Sequence, residues 1–338
     1  MNQINKKPSL VKELKIGNVT LRNNLILAPM AGITDAPFRK LALKGGAGLV
    51  CSEMVSSKGL IYSHKRTKRM LESDKIDRPV SIQIFGPDAV SIAQSAKMVE
   101  ESGADIVDIN FGCPVPKIAK SGAGAALLSD IKTVAEIMEA TVKAVKIPVT
   151  AKIRVGRNLG ENLAPELVRI AGNCGISAVT IHGRAVVSGH KGEADLEAVR
   201  KAKETATIPV IGNGGIIDEA TALSFFENTG CDGIMIGRGA IGDFEIFNRI
   251  AYFLETGERL QEPTWESRID NFKQHAKAAA ELYGEKYGLI RMRKIVAYYL
   301  KDMPNASSTR NKFCQIETIK EMDSLMATAL KSPLFDQN

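Results

Sequence analysis

At 338 residues the chain exceeds one average domain and suits an α/β barrel of about 250 residues carrying a smaller appendage. Apolar residues make up 44% and charged residues 25%, which excludes a disordered tail or a fibre, and no run of about 18 apolar residues offers a membrane span. The net charge of +7 permits an anionic partner without requiring one, and five scattered cysteines read as reduced thiols rather than disulfides or a zinc site, so no metal is expected.

Residues 1–24 are polar and lack the apolar stretch of a signal peptide, so they read as a lead-in to a barrel in a soluble, cytoplasmic protein. Eight short β-rich runs follow: LILAPM (25–30), GLVCSEM (48–54), VSIQIFG (80–86), DIVDINFG (105–112), PVTAKIR (148–154), AVTIHGR (178–184), PVIGNGG (209–215) and GIMIGRG (233–239). Segments of helical spacing lie between them, including 88–102, 130–146, 162–174 and 218–229, each opened by Asp or Asn in a capping position. Alternation of this kind predicts a (β/α)8 TIM barrel over 25–256, with a doubly wound open sheet as the runner-up, because strand count alone does not show closure. Beyond a linker around Gly257 and Pro263 the spacing turns helical, which predicts a small all-helical domain at 264–335.

In such a barrel chemistry gathers at the C-terminal ends of the strands, and here those ends are polar. They carry Pro29 and Met30, Glu53, Gln83, Asn110 with Cys113, Lys152 with Arg154, His182 with Arg184, Asn213, and Arg238. Any one Gln or Asn at a strand end is more often a loop hydrogen bond than a ligand contact. Recurrence from several strands makes a polar floor suited to a planar heteroaromatic ring. The glycines of 212–215 and 237–239 let backbone amides approach an anion closely, and loops after the seventh and eighth strands are common phosphate sites in such barrels. A planar ring with one phosphate, without a dinucleotide fingerprint, favours FMN over NAD or FAD.

Cys113 lies in NFGCP just beyond the fourth run, followed by a glycine-bearing loop with Lys117 and Lys120. A thiol there is a nucleophile, a proton donor or an inert small apolar residue, and an exposed position on a mobile loop over the barrel mouth favours the reactive readings.

These residues resemble the tRNA-dihydrouridine synthases. The motifs LAPMAGITDAPFR, SEM, QIFG, DINFGCPVPKIAKSGAGAALL, KIRVG, IHGR, IGNGGI and MIGRGA occur in that family's order from Leu25 to at least Arg310. The resemblance implies an FMN cofactor reduced by NADPH, and a tRNA uridine reduced at its 5,6-bond. By matching positions, Pro29, Met30, Ala31, Gln83, Lys152, His182, Asn213, Gly214, Gly215, Gly237 and Arg238 would hold FMN. Cys113 would be the acid, protonating C5 while reduced flavin passes hydride to C6. A cysteine pKa near about 8.5 leaves mostly thiol at neutral pH, although Lys117 could lower it.

A uridine within folded tRNA must be extruded, and its backbone held by cations meanwhile. Asn110, Arg154 and Arg184 are candidates for the RNA side of the strand ends. Two basic stretches are further candidates: Lys58, His64, Lys65, Arg66, Lys68 and Arg69 after the second run, and Lys286, Arg291, Arg293, Lys294, Lys301, Arg310 and Lys312 in the helical region. Within the latter, Arg291, Arg293 and Lys294 are the predicted tRNA contacts, beside Tyr298 and Tyr299, which either stack bases or belong to the core. Ala185, Val186, His190, Leu196 and Arg157 depart from the family's usual residues, which bears on RNA recognition rather than on FMN.

Overall fold

The computed structural model describes residues 9–62, 70–71 and 78–331. Its strands are β1 (Leu14–Ile16), β2 (Val19–Leu21), β3 (Leu25–Leu27), β4 (Leu49–Cys51), β5 (Val55–Ser56), β6 (Val80–Phe85), β7 (Ile106–Asn110), β8 (Val149–Arg154), β9 (Ala178–His182), β10 (Val210–Asn213) and β11 (Gly233–Ile236). All eight apolar runs are strands, and they pair in parallel in chain order from β6 to β11. The ladder then closes. Met235 of β11 stands opposite Ile26 of β3, and Val50 of β4 opposite Val80 of β6, which excludes the open sheet.

Side chains alternate across each strand, and the sequence writes that alternation into two different cores. Leu25, Leu27, Val50, Ile82, Ile84, Val107, Ile109, Ala151, Ile153, Val179 and Ile181 point outward under the helices. Residues of the other parity fill the barrel in layers: Ile26, Leu49, Ile106, Ala178 and Ile211 make an apolar lower layer. Above it come Ser81, Asp108, Thr150 and Thr180, all buried, and then Gln83, Asn110, Lys152, His182 and Asn213 at the top. Polarity therefore rises towards the C-terminal strand ends, where the site must be.

The lead-in is more than a tether. β1 and β2 form an antiparallel hairpin around Gly17 (φ 58°), and Leu14, Ile16 and Leu21 join the apolar lower layer as a plug. Asn24 secures it, its Nδ2 donating to the carbonyls of Leu10 (2.9 Å) and Asp232 (2.8 Å).

Helices start where short acidic side chains satisfy the free amides of the first turn. Asp88 accepts from Ser91 N (2.8 Å), Asp130 from Thr133 N (3.1 Å) and Asp218 from Thr221 N (2.7 Å), opening Ala89–Glu101, Ile131–Ala144 and Glu219–Thr229. Near Asn162 the helix starts later, at Ala164, with Pro165 in its first turn and no side-chain cap.

Beyond the barrel lie helices Trp265–Tyr283, Glu285–Met292, Val296–Tyr299, Ala306–Phe313 and Ile319–Leu330. An aromatic cluster docks them onto the barrel: Phe38 and Phe244 meet edge to face at 5.0 Å, and His275 packs 5.5 Å from Phe38 and 5.8 Å from Phe244. Each buried phenylalanine contributes about 2–3 kcal/mol to that docking. Burial pulls His275 down to about 4, so it packs as a neutral ring, with Nδ1 3.1 Å from the Tyr299 hydroxyl. Among the described residues no helix is long and apolar enough to cross a membrane.

Candidate active site

A cavity of about 410 Å³ opens at the C-terminal ends of the strands, within the range of small-molecule and cofactor sites. All eleven predicted cofactor residues line it: Pro29, Met30, Ala31, Gln83, Lys152, His182, Asn213, Gly214, Gly215, Gly237 and Arg238. Cys113, Asn110, Arg154 and Arg184 line it too, whereas no Asp or Glu does among the described residues. One lysine and three arginines, with no carboxylate among the described lining residues, make a field of one sign, suited to an anion.

The floor is a chain of oriented amides. Thr150 Oγ1 and Gln83 Nε2 both donate to Asp108 (2.6 Å each), Asn110 Nδ2 donates to Gln83 Oε1 (2.8 Å), and Cys113 N donates to Asn110 Oδ1 (2.9 Å). The chain fixes which end of each amide faces which neighbour, and so pins the backbone of Cys113. Asp108 escaped the sequence reading. Its signal was its parity, two residues before Asn110 on the same inward face. Burial pushes its carboxyl up, while the bonds from Gln83 and Thr150 and the nearby Lys152 hold it back.

Lys152 donates to Asn213 Oδ1 (3.0 Å), and Asn213 Nδ2 is spent on the Met235 carbonyl (2.7 Å). Burial first, and Arg154 second, pull the Lys152 ammonium down to about 8. Burial also depresses His182, aided by Lys152, Arg154, Arg184 and His190, so its ring is neutral. Arg184 Nη1 lies 3.1 Å from His182 Nε2, which makes Nε2 the acceptor and leaves the proton on Nδ1.

Gly214 (φ 129°) and Gly215 (φ 75°) adopt backbone conformations that L side chains rarely enter. A Cβ on Gly214 would sit 3.1 Å from His182 Cδ2, filling the very space beside the ring. Donor set, cationic field and glycine cradle together fit a flavin mononucleotide: amide and amine donors for ring carbonyls, and glycine loops with Arg238 for a phosphate.

Two expectations for Cys113 need correction. The thiol is buried, 8% exposed on the cavity wall against Ile118, Ala123, Met54 and Phe85, rather than standing on an exposed loop. The segment behind it is shaped by a short helix, Pro116–Ala119, and a 3-10 turn, Gly124–Ser129, with Ala125 N donating to the Cys113 carbonyl (3.1 Å). Lys117 is exposed and is not what governs the thiol. Burial pushes it up, and the Val115 amide, Arg154 and Lys152 pull the other way without prevailing.

The arginines are committed to structure more than the sequence suggested. Arg154 is 1% exposed and donates to the carbonyls of Gly112 (2.8 Å), Ala185 (3.1 Å) and Gly189 (2.8 Å), tying together the loops on either side of its own strand. Arg184 holds the Gly192 carbonyl through Nε (3.0 Å) and Nη2 (2.8 Å). Arg291 is no free cation. It pairs with Asp35 (3.1 Å) and Glu53 (3.6 Å) and lies 4.3 Å over the Tyr283 ring, joining the helices to the barrel. That commitment revises its expected part as a phosphate contact. Glu53 in turn accepts from Gly32 N, beside the cavity residues Met30 and Ala31.

Lys294 is exposed near Gly32, and Arg293 is half-buried. Lys286 pairs with Glu317 (2.6 Å) and Lys301 with Asp302 (3.9 Å), while Arg310 is half-buried and Lys312 exposed. Of the other basic stretch, Lys58 lies in a short helix, and His64, Lys65, Arg66, Lys68 and Arg69 fall outside the described residues. Of the five atypical positions His190 alone lines the cavity, its ring 6.0 Å from His182 and 28° from parallel. Arg157 is exposed, Ala185 buried, and Leu196 begins the helix Leu196–Glu204.

A sequence model of the dihydrouridine synthases matches residues 26–334. The chain belongs to the dihydrouridine synthase family. It is 40% identical over 310 residues to a probable tRNA-dihydrouridine synthase of Rickettsia prowazekii, covering 91% of this chain and 94% of that protein. It is 42% identical over 310 residues to tRNA-dihydrouridine synthase B of Proteus vulgaris, covering 91% and 95%. Among solved structures, histamine dehydrogenase from a Rhizobium species superimposes with a TM-score of 0.58 at 13% identity, over 80% of this chain and 51% of that one. Morphinone reductase bound to tetrahydroNAD gives 0.55 at 13% identity, over 78% and 94%. At such identity these two carry the barrel fold alone, and the family assignment rests on the sequence matches.

Proposed function

We propose that the protein is a tRNA-dihydrouridine synthase that binds FMN, is reduced by NADPH, and adds hydride and proton across the 5,6-bond of uridines in tRNA. The observation that carries this reading is Cys113, its thiol pushed up by burial, on the wall of a cavity lined by all eleven predicted FMN residues and, among the described residues, by no carboxylate.

Bound FMN, once reduced, would supply the hydride for uridine C6. Gln83, Lys152, His182 and Asn213 would hold its ring, and Gly214, Gly215, Gly237 and Arg238 its phosphate. The neutral His182 donates through Nδ1–H, since Nε2 is taken up by Arg184. Lys152, still charged at neutral pH, offsets negative charge on whatever lies above it. Cys113 keeps its proton until negative charge develops at C5, then gives it up to complete the addition of two hydrogens. Arg154 and Lys152 stabilise the thiolate left behind. The amide chain from Asp108 to Asn110 holds the Cys113 backbone still, so that the proton arrives from one direction.

The barrel and the C-terminal helices divide the task in this reading, the first carrying chemistry and the helices at 264–335 the RNA. Recording the visible spectrum of the purified protein tests it. Flavin bands should bleach with NADPH under anaerobic conditions and return on adding unmodified tRNA, and in Cys113→Ala the return should be lost or slowed by orders of magnitude. A colourless protein, or bands restored by free uridine but not by tRNA, would overturn the reading.

A further inference from the structure

Tyr298 and Tyr299 are neighbours in sequence and opposites in setting. Tyr299 is fully buried against Phe244 and Phe272, whereas Tyr298 is 39% exposed and, among the described residues, is the one side chain of the C-terminal helices that lines the cavity. Its backbone is clamped. Tyr298 N donates to the Ile295 carbonyl (3.0 Å), and Arg268 Nη2 donates to the Tyr298 carbonyl (3.0 Å). Gly242 (φ 85°) packs so closely that a Cβ there would stand 2.9 Å from the Tyr298 carbonyl carbon. An exposed aromatic ring is thus mounted on an immobilised backbone at the rim of the site.

Two more large apolar side chains share that rim. Ile217, on the loop after β10, is 61% exposed, and Val115, two residues beyond Cys113, is 45% exposed. Apolar surface left in water on three separate segments that line one opening marks a contact surface rather than a solvated loop. The exposed Arg238 lies on the same rim, and the exposed Lys294 lies four residues before Tyr298, on the turn that leads into its helix. Flat apolar surface framed by cations is the chemistry that takes a nucleobase by its face and its phosphate by charge.

We propose that this rim is a second nucleotide subsite: Tyr298, with Ile217 and Val115 around it, stacks an unpaired base of the tRNA adjacent to the uridine that enters the cavity. This rests on the function proposed above. Such a platform would hold open the strand from which the uridine is extruded, because a displaced neighbour that stacks on protein recovers part of the stacking it lost in the RNA.

Wild type, Tyr298→Phe and Tyr298→Ala would be compared in two measurements: equilibrium binding of unmodified tRNA, and re-oxidation of the NADPH-reduced protein as a function of tRNA concentration. Stacking predicts that Tyr298→Ala raises both the dissociation constant and the half-saturating concentration by roughly tenfold or more, while Tyr298→Phe stays within about twofold of wild type. The maximal re-oxidation rate should change less than the half-saturating concentration, a split that general unfolding would not give. Equal affinity in all three proteins overturns the proposal, and so does an equal loss in both variants, which would assign the effect to the hydroxyl. Failure of the underlying function looks different: wild type would not be re-oxidised at any tRNA concentration, while the binding series would still decide for or against the stacking subsite.

Discussion

Replacing Arg291 by Met keeps the side-chain length and removes the one charge that bridges Asp35 and Glu53 across the junction between barrel and helices. The pair is mostly buried, with side-chain exposures of 21% for Arg291, 8% for Asp35 and 16% for Glu53. Removing one partner of a fully buried pair costs about 3–5 kcal/mol. Arg291 keeps some water, and Asp35 retains the Phe38 amide, so a loss of about 2 kcal/mol is the appropriate figure. For a chain of this size that lowers the melting temperature by roughly 3 °C. Burial raises the Glu53 carboxyl and Arg291 lowers it, so in the variant it rises further. A carboxyl whose folded-state pKa exceeds its unfolded value contributes its stability below the unfolded value and loses it as pH climbs through the folded one. The deficit should therefore be greatest at neutral pH and shrink towards the ordinary glutamate range near about 4.3. Thermal unfolding followed by circular dichroism at several pH values reads both effects. A melting temperature matching wild type at pH 7, or a deficit that grows on acidification, refutes the reasoning.

Other consequences are as specific. Because burial pushes the Cys113 thiol up, its alkylation by iodoacetamide should be slow at pH 7, well behind the exposed Cys314, and its rate should still be climbing at pH values where an ordinary thiol, near about 8.5, has levelled off; peptide mapping of the labelled protein separates the two. With Lys152 pulled to about 8, the affinity of the flavin-free protein for FMN should fall by up to about tenfold per pH unit above that point, a dependence that Lys152→Met should abolish along with most of the affinity. Lys294→Gln should weaken tRNA binding and reduce the slope of log affinity against log salt by about 1, whereas Arg291→Met should leave that slope in place. Titrations at several salt concentrations would show either pattern.

The barrel was legible because period-two alternation and glycine-ended runs are local signals, and parity even distinguishes Ile26 from Leu25 and Leu27 as the residue facing inward. Strand-end position found most of the polar cavity residues, though it also offered Glu53, which does not line the cavity, and the family's motifs supplied Ala31 and singled out the glycines. What stayed hidden depends on partners remote in sequence. Nothing local marks Arg291 as the mate of Asp35, 256 residues away, and a basic stretch looks the same whether it meets phosphates or carboxylates. The tyrosine pair sits in a helix of only four residues, too short to show which face is buried, so the reading could not separate Tyr298 from Tyr299. Cys113 was found by its motif, but its burial follows from the packing of Ile118 and Ala123, which turn the glycine-bearing segment back over it.

The N-terminal hairpin that plugs the lower end of the barrel has a consequence for traffic. With Leu14, Ile16 and Leu21 filling the base, the cavity opens, among the described residues, at the strand ends. On the proposed function, a nicotinamide delivering reducing power and a nucleic acid drawing it off would take turns at that opening. The barrel would then be a charge store loaded and unloaded in alternation, and an RNA that lingers in the doorway would also delay the next loading.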